Sequence, residues 1–412
     1  MTDKIVITGM GTVNPLGKTV EESWNNAIEG KSGIAPITLL DVSDFLVKLA
    51  GEVKDFQASD YLSAKDARRR DRYQQLASAA ALEAIGQAGL ELDEGQEGRV
   101  GVIVSSAIGG LEAVADNIEV LRTKGSRKVS PFAIPQLMAN GASGLIAIDY
   151  NFQGPSFSVT SACASGADGI GIAKMLIESG VIDIAITGGS EAMITEVGVA
   201  AFDRLGALSR RNDKNPNTPQ PFDKNRDGLV IGEGAAVLVL EKESGAKTRG
   251  VDILAEMAGY GSTADAYHIT APSVTGAGGG KAIKIALDNA RVNIEDISYI
   301  NAHGTATQLN DVSETKAIKA AFGEQAYNIP VSSTKSMTGH MMGATGALEA
   351  LFCVQAVRNN ILPPTINYET PDPECDLDYI PNEAREVEVT SAASNAFGFG
   401  GHNAVLVVKE YS

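Results

Sequence analysis

The chain has 412 residues, is 44% hydrophobic and 21% charged, and carries a formal net charge of -17. Its length exceeds what one simple core organises, so two domains or two large halves are expected. The acidic balance argues against nucleic acid as a partner. No apolar run is long enough for a membrane span, and three scattered cysteines form no disulfide framework, so the expected home is a reducing, cytoplasmic compartment.

Taken in chain order, "KIVITGMG" (4–11) reads as a buried strand ending in a glycine turn, entered without signal-peptide anatomy. "GMGTVN" (9–14) begins like a dinucleotide fingerprint, but Asn14 stands at the third glycine position, and the turn reading is preferred. Residues 63–90 read as one helix, with Tyr73, Leu76, Ala80, Ala84 and Ala88 on its apolar face and Gly89 as its stop. Its start carries Lys65, Arg68, Arg69, Arg70 and Arg72. A second basic cluster, Arg122, Lys124, Arg127 and Lys128, contains no acid. "RVGVIVSSAIGG" (99–110), "DIAITGGSEAM" (183–193) and "GAAVLVLEK" (234–242) read as strands, and the βα alternation predicts an α/β class.

"GEGAAVLVLEK" (232–242) is echoed by "GGHNAVLVVKE" (400–410), which a duplicated α/β fold explains. The polar "KESGAKTRG" (242–250) is the expected joint, giving halves 1–250 and 251–412. "GAGGGKA" (276–282) lacks P-loop spacing and reads as a flexible loop before a helix. No cysteines stand at metal-finger spacing, so no metal site is expected.

In "SVTSACASGADGIGIAKMLIESG" (158–180), Cys163 falls at the start of a helix whose apolar face holds Ile170, Ala173 and Ile177. Unpaired N–H groups and the helix dipole favour a thiolate there, and small neighbours leave the sulfur reachable. Cys353 lies on an apolar helix face and reads as core, and Cys375 lies among acids that discourage a thiolate. Of the four histidines, His303 and His340 sit at strand-to-helix junctions, where α/β sites gather, whereas His268 and His402 have weaker claims.

"TSACASG", "NAHGTAT", "SSTKSMTGH" and "NAFGFGGHN", in this order and spacing, resemble the β-ketoacyl-[acyl-carrier-protein] synthases, nearest the elongating synthase II branch. "QPFDKNRDGLVIGEGAAVLVLE" and "LPPTINYETPDPECDLDYIPNEAR" agree, and the likeness runs from residue 4 to residue 408. The resemblance implies the thiolase-like fold, in which two similar halves form a five-layered αβαβα sandwich, and a homodimer. It implies that Cys163 takes an acyl chain as a thioester and that His303 and His340 serve decarboxylation of malonyl-acyl-carrier protein. The backbone N–H groups of Cys163 and Phe399 would form an oxyanion hole. Lys335 would organise the site with Glu349 as its partner. Thr305 and Thr307 would bind the phosphopantetheine arm, with Thr270 also on the substrate side. Phe399 would gate acyl entry, and Ile108 would line the acyl tunnel at the dimer interface. Lys65, Arg68, Arg69, Arg127 and Lys128 would dock acyl-carrier protein.

No cofactor is implied beyond the carrier's phosphopantetheine arm. The chain departs from the family where "GTATQLND" replaces the usual Pro and Gly (Gln308–Asn310), at His402 where many relatives have threonine, and at Gly206. These departures bear on substrate preference and carrier docking. A type II polyketide ketosynthase shares every motif, and a cysteine-dependent thioester hydrolase is the alternative from another class.

Overall fold

The computed structural model describes residues 3–212 and 217–412. Strand β1 (Ile5–Val13) is buried along its whole length and does not turn at its glycines, contrary to the sequence expectation. Helix α1 (Arg72–Gln87) packs directly on them: a Cβ on Gly9 would lie 2.1 Å from the Ala84 carbonyl oxygen, and one on Gly11 2.0 Å from that of Ala80. The glycines therefore serve close helix-on-strand approach. The single helix expected over 63–90 is in fact divided into a turn at Ala64–Ala67 and α1. Asp71 causes the break by capping α1. Its carboxylate accepts the Tyr73 N–H, while the Gln74 side chain accepts the Asp71 N–H.

The first half continues with β2 (Val100–Ser105), α2 (Leu111–Lys124), α3 (Ser165–Glu178), β3 (Ile184–Ala192) and β4 (Glu233–Lys242). The second holds β5 (Ala255–Ala264), α4 (Ala277–Ala290), β6 (Tyr299–Asn301), α5 (Gln308–Phe322), β7 (Val331–Ser332), α6 (Thr345–Asn359), β8 (Ser391–Gly398) and β9 (His402–Lys409). The strands form a 9-stranded sheet ordered β2-β3-β4-β1-β5-β9-β8-β6-β7. From β2 to β1 the pairings run parallel, antiparallel, antiparallel, and from β6 to β5 they repeat that sequence. The two runs meet at β1–β5, through Val6 opposite Glu256 and Ile7 opposite Ala255.

The echoed segments become β4 and β9, which hold equivalent places in the two runs. The halves also repeat the close approach seen at β1. On β5, a Cβ at Gly259 would lie 2.3 Å from the Ala286 carbonyl oxygen and one at Gly261 2.3 Å from that of Ala282, under α4. Ala282, Ala286 and Ala290 thus match Ala80, Ala84 and Ala88. The glycines of "GAGGGKA" lie mostly inside α4 rather than in a loop, and the expected joint is largely a short helix, Glu243–Arg249, ended by the left-handed Gly250.

Helices α3 and α6 pack on each other between the two runs of strands. Helix α1 covers the outer face of the first run, and α4, with α5 against it, covers that of the second. This is the αβαβα sandwich. Helix α6 is buried nearly all round, and Cys353 on it is core, as expected. Cys375 is buried in the second half's core beside Phe222 and Tyr379, and burial pushes its thiol up to about 12.

Candidate active site

Cys163 sits in a tight turn ahead of α3. Ala162, just before it, has φ 52°, a left-handed conformation rare for a side-chain-bearing residue. The turn is held by its own polar groups: the Ser161 N–H donates to Ser165 Oγ at 2.9 Å, and the Ser165 hydroxyl donates to the Ala162 carbonyl at 2.6 Å. The thiol is only 8% exposed, and burial pushes it up to about 11. The Lys335 charge and the backbone N–H groups of Phe399 and of Cys163 itself pull the other way. The thiolate expected from the helix start is therefore overridden, because desolvation outweighs those donors.

His303 follows β6. Its N–H and that of Gly304 each donate to the Glu314 carboxylate of α5 at 2.7 Å, and the Asn395 amide donates to the same group at 3.0 Å. His340 Nδ1 accepts the Met342 N–H at 3.2 Å and lies 3.0 Å from the Thr345 hydroxyl. A nitrogen that accepts an N–H carries no proton, so neutral His340 is protonated on Nε2 and offers a donor there. The rings of His303 and His340 meet edge to face, with centroids 5.3 Å apart. Burial, then the Lys335 charge, holds both well below the usual imidazole value, and His340 adds to the effect on His303. Both are neutral at physiological pH.

Lys335 is buried and lies 2.5 Å from Glu349 Oε1. Burial pushes the Glu349 carboxyl up to about 8 against the pull of Lys335.

Cys163, His303, His340, Thr270, Thr305, Thr307 and Phe399 converge on one cavity of about 290 Å³. The Thr305 and Thr307 hydroxyls lie 2.9 Å apart, and the Phe399 ring stacks against Phe202 at 6.3 Å. Lys335 and Glu349 are outside this wall, and the Lys335 charge acts on Cys163, His303 and His340 from behind it. Ile108 also lies outside it, 44% exposed, and the nearby Gly110 N–H donates to the Leu137 carbonyl. Lys65, Arg68, Arg69, Arg127 and Lys128 are all exposed, and the Arg69 guanidinium lies 5.0 Å over the Phe132 ring. Two neighbours in the same run behave differently. Arg70 is buried in a bidentate pair with Asp149, and Arg72 pairs with Glu233 at 2.6 Å, so both are structural. At the departure from the family, Gln308 donates to the Arg226 carbonyl and Asn310 to Asp311.

Three residues that position the site escaped the sequence reading. Glu314 clamps the His303 backbone and Thr345 sets the His340 ring. Glu191 accepts the Ser106 hydroxyl at 2.8 Å and the Ala107 and Gly343 N–H groups at 2.7 and 3.1 Å, tying together loops of both halves. A carboxylate in the apolar strand "IAITGGSEA" was a usable signal. Glu314 and Thr345 were not distinguishable from ordinary helix surface.

A buried thiol and two neutral imidazoles share one cavity at the seam of a duplicated α/β sandwich, the architecture of a thiolase-like acyltransferase. The chain belongs to the β-ketoacyl synthase family: residues 2–246 match the Beta-ketoacyl synthase, N-terminal domain, and residues 254–369 the C-terminal domain. It is 47% identical over 408 residues to a 3-oxoacyl-[acyl-carrier-protein] synthase 2 of Staphylococcus aureus, covering 99% of this chain and 98% of that one. It is 48% identical to the protein of that name from Synechocystis, over the same shares of each chain. Among solved structures it is similar to a beta-ketoacyl synthase from Burkholderia phymatum, with TM-score 0.92, 36% identity and 100% of both chains covered. It also resembles a type II polyketide acyl-carrier protein–ketosynthase complex bound to its hexaketide, with TM-score 0.92, 35% identity and 100% of both chains covered.

Proposed function

We propose that the protein condenses an acyl thioester with malonyl-acyl-carrier protein, lengthening fatty acyl chains by two carbons in type II fatty acid synthesis. The observation that carries this is the convergence of Cys163, His303 and His340 on one cavity. The Cys163 sulfur attacks the acyl thioester carbonyl, the carrier's thiol leaves with the proton, and the acyl group rests on Cys163. Malonyl thioester then loses carbon dioxide. The electron pair of the broken bond moves onto the thioester oxygen, where His340 Nε2–H and His303 donate hydrogen bonds to it. The resulting carbanion attacks the Cys163 thioester, whose oxyanion is held by the Cys163 and Phe399 N–H groups. The thiolate is then expelled and reprotonated.

Lys335, with Glu349, supports the thiolate and keeps the imidazoles neutral. Thr305, Thr307 and Thr270 hold the phosphopantetheine arm, and Phe399 gates the cavity. Lys65, Arg68, Arg69, Arg127 and Lys128 receive the acidic carrier, a partner also present in the similar polyketide complex. The reading needs no cofactor beyond that arm. It divides the chain at residue 250, pairs two copies through the face around Ile108, and places the protein in the cytoplasm. Among the described residues no helix is long and apolar enough to cross a membrane. The higher identity to the synthase 2 relatives favours fatty acid elongation over a polyketide pathway.

The test is mass spectrometry of products from acyl- and malonyl-carrier substrates. A β-ketoacyl product two carbons longer is expected. Release of free acid without carbon–carbon bond formation would make the protein a thioester hydrolase instead.

A further inference from the structure

Outside the cavity wall, a second polar cluster adjoins the Cys163 turn. Asp168, in the first turn of α3, is 7% exposed and takes a hydroxyl on each oxygen: Ser161 Oγ at 2.5 Å from Oδ2 and Tyr260 Oη at 2.6 Å from Oδ1. Ser161 belongs to the nucleophile's turn. Tyr260 belongs to β5, in the other half of the molecule. Gly171, one helical turn beyond Asp168, leaves the space that the tyrosine ring fills, since a Cβ there would lie 2.3 Å from Tyr260 Cδ2. One turn further, Lys174 Nζ donates to Asn289 Oδ1 at 3.2 Å, and the same oxygen accepts the Tyr260 N–H at 3.0 Å. Positions 168, 171 and 174 fall on one face of α3, and all three engage the second half.

We propose that Asp168 is a positioning residue, fastening the Cys163 turn to β5 through Ser161 and Tyr260 and so setting the thiol against the two histidines that the second half carries. This rests on the function proposed above. A non-glycine residue holds a left-handed backbone only where its surroundings over-determine it, and Ala162 stands directly between Ser161 and Cys163. Burial and the neighbouring carboxylate push the Tyr260 phenol up, so it remains a donor. The simpler role for an acid in a helix's first turn is a favourable dipole contact. That role would involve neither a glycine cut to fit a tyrosine nor a hydroxyl from the nucleophile's own turn.

The experiment uses the full chain with Tyr260→Phe, Asp168→Ala, Asp168→Asn and the Tyr260→Phe/Asp168→Ala double variant. Acylation of Cys163 is followed by intact mass, and iodoacetamide alkylation is mapped to each cysteine. Acylation should slow about tenfold in Tyr260→Phe and in Asp168→Ala, because small misplacements of a nucleophile are costly. KM should stay within about twofold. Asp168→Asn, which keeps an acceptor oxygen, should recover part of the rate. The double variant should be no slower than the worse single one, as for residues acting through each other. Alkylation should accelerate at Cys163 and not at Cys353 or Cys375, because a freed turn exposes only its own thiol. If Asp168→Ala fails to fold, Tyr260→Phe, which removes only a hydroxyl, carries the test. Wild-type acylation and alkylation in the folded variants overturn the proposal, as does equal acceleration at all three cysteines. Absence of acylation in the unaltered protein refutes the proposed function alone, while the alkylation pattern still decides the role of Asp168.

Discussion

Acidification tests the two imidazoles directly. In the unfolded chain a histidine takes up its proton near 6.5, whereas His303 and His340 in the folded protein are held well below that value, chiefly by burial. Below that pH the unfolded state binds more protons than the folded one. The stability that these groups allow is therefore complete above the unfolded value and is lost as pH falls toward the folded one. Each histidine should remove about 1.4 kcal/mol per pH unit, so the pair should remove about 3 kcal/mol by about pH 5.5. Carboxylates contribute to the same curve. Glu349, raised to about 8, has the opposite sign, its contribution being present below the unfolded value of 4.5 and lost as pH rises toward 8. The assay therefore compares denaturant unfolding of the wild type with that of His303→Asn and His340→Asn between about pH 7.5 and pH 5.5. The wild type should change little relative to each variant between about pH 7.5 and 6.5, and below about 6.5 it should lose stability relative to each by about 1.4 kcal/mol per unit. A difference that does not change with pH, or an imidazole resonance titrating near 6.5 in the folded protein, would show that the rings are not desolvated donors.

Three further outcomes are expected from the proposed function. Cys163→Ala should abolish acyl-enzyme formation, with acylation mapped by mass spectrometry to neither Cys353 nor Cys375, both of which are buried in packed cores. Charge reversal at Arg68 or Arg127 should weaken use of carrier-bound substrate, the defect shrinking as salt screens it, while turnover of a small pantetheine thioester is kept; equal loss on both substrates would make the patch structural. Ile108→Phe should exclude long acyl chains and spare short ones in a chain-length panel, and uniform loss at every length would remove Ile108 from the tunnel.

Much of the site was legible because its residues are chemically rare and sit at element ends. With four histidines and three cysteines in 412 residues, a helix start favours Cys163 and strand-to-helix junctions favour His303 and His340, and the resemblance then gives them their roles. Less legible was anything decided by burial. The sequence placed Cys163 at a helix start and so implied a thiolate, but the dehydration that pushes the thiol up to about 11 comes from residues distant in the chain. The same limit applies to the basic run at 65–72. Its exposed and buried members look alike in sequence, and only the folded partners, Asp149 and Glu233, withdraw Arg70 and Arg72 from the surface. A turn is the usual use of the glycines in "GMG", which is why the sequence of β1 suggests one. Their actual use, bringing a helix onto a strand, was written in the spacing of Ala80, Ala84 and Ala88 and repeated at Gly259, Gly261, Ala282, Ala286 and Ala290.

The duplication also explains why the chemistry lies at the seam. Each half supplies one central helix, and the two begin alike: "SGA" (165–167) opens α3 and "TGA" (345–347) opens α6. These small residues are where the helices touch. A Cβ on Gly166 would lie 3.1 Å from the Ala347 nitrogen, and one on Gly346 would lie 3.0 Å from the Ala167 nitrogen. Crossing at their first turns, the helices bring together the segments that precede them, and those segments carry Cys163 in one half and His340 in the other. The thiol and the imidazole thus occupy related places in two copies of one unit. Each copy presents a different side chain just ahead of its central helix, a thiol in one and an imidazole in the other. A single copy would have one helix start and no partner for it, so the cavity exists only where the two halves close on each other.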